Sequence, residues 1–447
     1  MRPGLRSLLV LCILCLGTAS AAELGYVLRL ELSPGAPGWL LEGVATVTGR
    51  APAAVDTLVF RFFQGINVPV DLRTVREGER EIPWDSVDPT AVAVSLPLEE
   101  GQSFSVTFSY AIEVPPFPGG GYGTLAAGER TVVVSQAYPV LAPWRDGWVV
   151  EPVFPWGDAL VAEVADYAAE IEAPPGWTVV ATGTEEELPS GAVHVEGQDL
   201  REFAFVLVRN YGDAATDAAG AEVTSWFSPS HRYAGERALR LAARALERCA
   251  ALLGGYPFPE LDVVEVPLRE AAGVEFPGLV LAGADYYRRR GELVFPMIFA
   301  HEVAHQWWYA QVGNDQVREP WVDEALATYT SGLIMEEWGL FPELLDYWKG
   351  SYERGRSRNP GATPFDPLWK FPGGEGYGGI VYSGGALFFL DLEAAMGRDR
   401  LLDALRRYLG EYRWRIATGA DLLRVLGEAG GPEAAEIIRR WRRGGRP

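Results

Sequence analysis

Phe295-Pro-Met-Ile-Phe-Ala-His301-Glu302-Val-Ala-His305-Gln-Trp-Trp308 is the run around which the chain is organised. It reads as one buried helix, with Pro296 in the first turn, where a missing N–H costs nothing. Residues four apart share a helix face, so His301 and His305 project side by side. Two neutral imidazoles so placed can grip one Zn2+, and Glu302 then stands near the metal's water. The plainer alternative is a core helix with two satisfied histidines. A catalytic zinc needs three protein ligands and one open position. Glu324 follows His305 after 18 residues, within Pro320-Trp-Val-Asp-Glu-Ala-Leu-Ala-Thr-Tyr329. Val322, Leu326, Tyr329 and Leu333 make an apolar helical stripe there. A loop with Gly313, Asn314 and Asp315 lets this second helix return antiparallel to the first, bringing Glu324 to the same ion.

At 447 residues the chain has room for two or three domains. Its formal charge of −21 argues against nucleic acid as a partner, because phosphate binding needs a basic surface. An acidic field suits cationic ligands such as a peptide's free amino group, or it serves solubility alone. Arg2, Arg6, the apolar Leu8 to Leu16 and the small-residue site Ala19-Ser20-Ala21 read as a secretion signal over residues 1–21. The expected location is therefore extracytoplasmic, secreted or periplasmic. The apolar run is short for a bilayer span. No stable membrane insertion is expected after cleavage, with an uncleaved anchor as the alternative. Cys12 and Cys15 leave with the signal, so Cys249 has no partner for a disulfide and is expected to pack in a core.

From Gly25 to about Asn210 the pattern is short alternating strands, such as Tyr26–Leu32, Thr57–Phe62 and Phe104–Phe108, punctuated by Pro and Gly clusters. Period two without long helical windows implies an all-β sandwich or saddle domain, assigned to residues 22–210. The character changes near residue 211. Ala234–Leu253 is an amphipathic helix stopped by Gly254-Gly255, Leu261–Val266 a strand, and the tail from Ser383 largely helical. Residues 211–447 therefore read as an α+β domain. Gly121-Tyr-Gly123 and Gly374-Glu-Gly376-Tyr-Gly-Gly379 fit a nucleotide-binding glycine pattern. Neither joins a strand to a helix, so both are read as flexible loops. His194 and His231 are read as surface or turn residues, and no serine sits in a nucleophile elbow.

The spacing of His301, Glu302, His305 and Glu324 is that of the gluzincins. The surroundings resemble the aminopeptidase N and leukotriene-hydrolase family of zinc metallopeptidases, from about residue 25 to about residue 440. The resemblance implies an N-terminal β domain forming one wall of the cleft, followed by a thermolysin-like catalytic domain with one Zn2+ per chain. Glu302 is the natural base, being next to a ligand without being one. Val381-Tyr382-Ser-Gly-Gly-Ala-Leu-Phe-Phe389 looks like the family's catalytic-tyrosine segment, a Tyr followed by a small-residue turn and an apolar helix. Tyr382 is thus the expected oxyanion donor, with Tyr377 second. Ala272-Gly273-Val-Glu275-Phe276 resembles the exopeptidase signature Gly-x-Met-Glu-Asn, whose Glu holds the substrate's α-amine while its strand pairs with the peptide. Glu275 and Gly273 are carried over as substrate contacts. Ala272, Val274 and Phe276 depart from the signature and weaken strict exopeptidase action most. Gln136, in Ser135-Gln-Ala-Tyr138, is a candidate second substrate contact from the β domain, with a plain polar turn residue as the alternative. Only 65 residues follow Tyr382, so the capping helical domain of larger relatives is expected to be absent. The cleft would then be more open, admitting longer peptides or closed by self-association. The leading expectation is an aminopeptidase acting on peptides. Its rivals are an endopeptidase or atypical peptide hydrolase, and a non-catalytic secreted module that binds zinc and peptide.

Overall fold

A computed structural model describes residues 20–444. The expected secretion signal, except for its last two residues, lies outside the described residues. Alternation along Gly25–Pro34 buries Tyr26, Leu28, Leu30 and Leu32 on one face and turns Val27, Arg29 and Glu31 outward, the period-two pattern of a strand with one wet side. This strand lies within an eight-stranded sheet. It pairs antiparallel with Trp39–Arg50 and parallel with Ala165–Glu172. Two four-stranded sheets complete the N-terminal half. Val55–Arg61 is central in one, and Ala204–Val208 and Thr131–Ser135 are paired at the centre of the other. Apolar side chains from all three sheets share one core, including Phe60, Phe108, Tyr138 and Phe205.

A five-stranded sheet opens the C-terminal half, in the order Gly212–Ala218, Ala221–Phe227, Glu260–Val266, Leu279–Gly283, Gly273–Phe276. Gly273–Phe276 is one of its two edge strands, so one row of that strand's backbone groups remains unpaired within the sheet. The helix Arg232–Leu253 buries Leu239, Ala242, Leu246, Cys249 and Leu253 against it, and Gly254 stops the helix at φ 113°. The helices Val294–Ala304 and Trp321–Glu337 pack on each other in the same core, around Trp307, Trp308 and Trp321. An N-terminal β-rich unit followed by an α+β unit is the architecture expected.

Two local expectations are corrected. The run Phe295–Trp308 is not one helix: it ends at Ala304, with His305 as its cap. The chain folds back there, because the Ala310 N–H bonds the His305 carbonyl and Tyr309 adopts φ 128°. Gly374–Gly379 is not a flexible loop. Gly374–Tyr377 is a short helix that continues as a π-helical run, Gly378–Gly384, into Gly385–Met396. Its glycines are contact points: a Cβ on Gly379 would lie 2.6 Å from the Ser351 carbonyl oxygen, and one on Gly376 2.0 Å from Asn359 Nδ2. Consequently no small-residue turn follows Tyr382. The whole run Gly374–Met396 is long and apolar enough to cross a membrane by length and composition, yet 67% of its most apolar window is buried inside the fold.

The two halves also meet at Glu185, on an edge strand of the large sheet, which lies with Glu260 and Asp262 in one carboxylate cluster. Burial, reinforced by Asp262 and Glu260, pushes the Glu185 carboxyl up to about 9. Burial likewise pushes Asp262 up to about 7 despite the bond from Trp226 Nε1. The folded chain holds these protons more tightly than the unfolded chain does. Their stabilisation is therefore complete below the ordinary carboxylate range and lost as pH rises through about 7 to about 9. Glu185→Gln should flatten the fall in urea midpoint between about pH 5 and about pH 9. Equal slopes in variant and wild type would place the cause elsewhere.

Candidate active site

His301 and His305 stand one turn apart with ring centroids separated by 4.7 Å. Their Nε2 atoms are 3.1 Å apart. Glu324 Oε2, on the second helix, is 3.2 Å from the first and 3.4 Å from the second. Ligands held about 2.0–2.1 Å from one ion at tetrahedral angles are themselves about 3.3–3.4 Å apart, so these edges fit three corners around zinc. Two further observations support the fit. Glu324 Oε2 is buried with no hydrogen-bond donor aligned on it. His305 Nδ1 donates to the Trp308 carbonyl at 2.9 Å, which leaves the Nε2 lone pair facing the other donors. This backbone bond depends on the chain folding back after His305.

The loop between the helices positions the third donor. Asn314 Nδ2 and Gln316 Nε2 donate to the Asp323 carboxylate at 3.0 and 2.9 Å, and Asp323 Oδ1 accepts from the Glu324 N–H. Trp308 Nε1 donates to Thr330 Oγ1 at 2.8 Å, tying the end of the first helix to the second. Glu302 is buried with a carboxylate oxygen within 4.8 Å of an imidazole nitrogen of each histidine. The edge strand runs directly beneath it, since a Cβ on Gly273 would lie 2.4 Å from Glu302 Oε1. Glycine is therefore required at 273 for close approach. Glu275, two residues on, is 3.9 Å from His305 Nδ1. Tyr382 stacks on His301 at 5.6 Å and donates its hydroxyl hydrogen to Glu324 Oε1. Tyr377 packs edge-on against Tyr382.

The electrostatics are those of a cation site. Burial pushes Glu302 up to about 8 and Asp323 up to about 7, and raises Glu275 well above its usual range. Burial acts on Glu324 in the same direction, but the close approach of His301 and His305 outweighs it and holds Glu324 down at about 2. Burial disfavours a charged His305, yet Glu275 and Glu324 raise it well above an ordinary imidazole. So many buried acids beside two imidazoles make a field that a dication would relieve. Two imidazoles and one carboxylate are the donor set that a borderline-soft ion such as zinc takes in hydrolytic sites.

Two cavities meet here. The larger, about 820 Å3, is lined by His301, Glu302, Glu324, Tyr382 and Gly273. The smaller, about 330 Å3, lies toward the β domain and is lined by Gln136, Glu202 and Tyr309. Glu275, Asp158 and Tyr122 line both. Gln136 is thus brought to the site, together with every other candidate named from the sequence. Asp158, Glu202 and Tyr122 were not anticipated. Asp158 lies in irregular chain that matches no motif, and burial, with Glu324 and Asp323, pushes it up to about 8. Tyr122 belongs to a glycine-rich stretch read as a loop. Its hydroxyl accepts from the Gly157 N–H at 2.5 Å and so anchors the turn that carries Asp158. His194 pairs with Glu196 on a strand, and His231 pairs with buried Glu265 at 2.6 Å, both away from the cavities.

Replacing the ligand carboxylate is expected to weaken metal binding. Glu324→Gln should lower zinc affinity by at least about 100-fold in a competitive chelator titration, more than is typical for residues behind the ligands. His231→Gln should leave it unchanged.

Residues 237–441 match the description "Peptidase family M1 domain". A stretch of 203 residues is 26% identical to "Aminopeptidase M1-C" of Oryza sativa subsp. japonica, covering 42% of this chain and 22% of that protein. Another, of 242 residues, is 24% identical to "Alanine/arginine aminopeptidase" of Saccharomyces cerevisiae, covering 49% of this chain and 27% of that protein. The matches thus span about a quarter of those relatives' own length. The fold is similar over nearly its whole extent to the crystal structure of an M1 zinc metallopeptidase from Deinococcus radiodurans, with TM-score 0.68, 18% identity and 96% of each chain covered. A mutant of that metallopeptidase bound to a Tyr-Ser-Ala substrate gives the same TM-score of 0.68 and the same coverage. Residues 237–441 are thus similar to the peptidase family M1 domain, and the fold of the described residues is similar to that of M1 zinc metallopeptidases.

Proposed function

We propose that the protein is a zinc aminopeptidase that removes N-terminal residues from peptides, with one zinc ion per chain held by His301, His305 and Glu324. The observation that carries this reading is the placement of Glu275 within 3.9 Å of His305, in a buried pocket that opens onto the ligand cavity. A carboxylate there fixes a substrate's terminal ammonium close to the hydrolytic centre, and so admits one residue before the scissile bond. The substrate-bound Deinococcus relative, whose ligand is a tripeptide, is consistent with a peptide substrate. Zinc in this donor set supplies Lewis acidity toward a carbonyl oxygen and makes water easier to ionise.

The chain's own groups supply the rest. Glu302, buried beside the ligand histidines, takes the proton of the attacking water and passes it to the leaving amine. Tyr382 is held protonated by burial, and by Glu324 after it, so its hydroxyl is a hydrogen-bond donor. Turned from Glu324 to the substrate, it steadies the oxyanion that develops on the carbonyl. The edge strand Gly273–Phe276 offers unpaired backbone groups along which an extended peptide can lie. The N-terminal pattern of the sequence supports an extracytoplasmic location for this activity.

Glu302→Gln should retain zinc and lose roughly 10²–10⁴ in kcat on a free tripeptide. Tyr382→Phe should lose about 10²–10³ in kcat with little change in KM, because its bond forms only as the oxyanion does. N-acetylation should abolish cleavage by the wild type. Equal cleavage of acetylated and free peptides would favour the endopeptidase reading instead.

A further inference from the structure

Peptide hydrolysis by Glu302 and Tyr382 makes no use of Glu202, although its carboxylate is among the most enclosed in the protein. Arg201 and Glu202 join the strands Val193–Leu200 and Ala204–Val208, and each is 2% exposed. Arg201 donates to the backbone oxygens of Tyr309 and Ala162, both at 2.8 Å. Glu202 holds two side chains from opposite halves of the fold. Its Oε1 accepts from the hydroxyl of Tyr309, four residues beyond His305. Its Oε2 accepts from Gln136 Nε2 at 2.8 Å. Gln136 and Tyr309 both sit at positive φ, 51° and 128°, so one carboxylate pins two residues in conformations that side chains seldom adopt.

The two ends of an amide differ in chemistry, and Glu202 selects between them. An ionised carboxylate only accepts, so it must take the NH2 end of Gln136. The Gln136 carbonyl oxygen is then the end left for the smaller cavity, whose wall Gln136 shares with Glu275. No protein donor among the described residues is bonded to that oxygen. With the amide reversed, Gln136 would present N–H groups to an ammonium, which has donors of its own and nothing to offer them.

We propose that Glu202 is a positioning residue for substrate binding: it orients the Gln136 amide so that its oxygen, together with Glu275, accepts hydrogen bonds from the peptide's terminal ammonium. This role rests on the aminopeptidase reading. Glu202 acts through Gln136 and does not touch the substrate. Burial pushes its carboxyl up to about 7, against the pull of Tyr309 and Gln136, so the test belongs at about pH 8, where it is ionised.

The test is a pair of variants assayed on a free tripeptide. In Glu202→Gln the new amide keeps its oxygen for Tyr309 and turns its NH2 to Gln136. That forces Gln136 to turn its own oxygen inward and its NH2 toward the cavity. KM should rise roughly 10–100-fold, the scale of one hydrogen bond to a charged group, with kcat within about twofold. The melting temperature should stay within about 2 °C, since every pair is still bonded. The exchanged double variant Gln136→Glu with Glu202→Gln restores an acceptor facing the cavity and should return KM to within about threefold of wild type. A merely structural role predicts neither the rise in KM nor its reversal. An unchanged KM in Glu202→Gln, or a raised KM that the exchange does not restore, would overturn the proposal alone, provided the wild type prefers free over N-acetylated peptides. A wild type indifferent to acetylation removes the ammonium from the site and overturns the underlying reading with it.

Discussion

Two imidazole nitrogens and one carboxylate oxygen meet within 3.1–3.4 Å of each other, almost wholly out of solvent. Electron-rich atoms so close repel one another unless something positive lies between them. Much of the surrounding structure is a means of bearing that constraint. The chain reversal after His305 fixes one ring through the Trp308 carbonyl. Asn314 and Gln316 brace Asp323, which in turn binds the backbone of Glu324. Trp307, Trp308 and Trp321 fill the space behind. Rigid apolar packing of this kind lets ligand atoms keep their places without help from solvent.

The β-rich half is more than a wall. Arg201 enters the catalytic half and satisfies carbonyl groups on the segment just after the ligand helix. A cation with its charge buried this deeply is tolerated only because oxygens surround it. The same dipeptide supplies Glu202, so backbone support for the ligand helix and organisation of the smaller cavity come from adjacent residues. Tyr122 plays a comparable part on the other side by anchoring the turn that delivers Asp158.

The ligand set and the edge-strand glutamate were legible because helical and strand periodicities place residues by counting. His301 and His305 share a face at any helix phase, and Glu324 needed only a second helix to present it. The β/α order of the chain was equally legible from alternation in stretches such as Tyr26–Leu32. What escaped is set by tertiary contacts. The stop at His305 depends on a carbonyl three residues ahead and on a non-glycine backbone at φ 128°. Gly376 and Gly379 signalled looseness by composition, yet they are glycine because Asn359, Ser351 and Gly355 crowd against them. Asp158 and Glu202 carry no motif, and their importance comes from distant chain folding over them.

Tyr382 lies in a π-helical run, Gly378–Gly384, within a longer helix. Such a run holds an extra residue in the turn, and each residue of an ordinary helix advances the direction of its side chain by about 100°. The run therefore acts as a phase setter. It turns the phenol toward Glu324 while the following segment, Gly385–Met396, keeps Leu387, Phe388 and Leu392 in the core. Removing a single residue between Gly378 and Val381 would let the bulge relax to regular winding. The core face would survive, and the tyrosine ring would swing out of the cleft. The hydroxyl's aim is thus a matter of chain length as much as of residue identity.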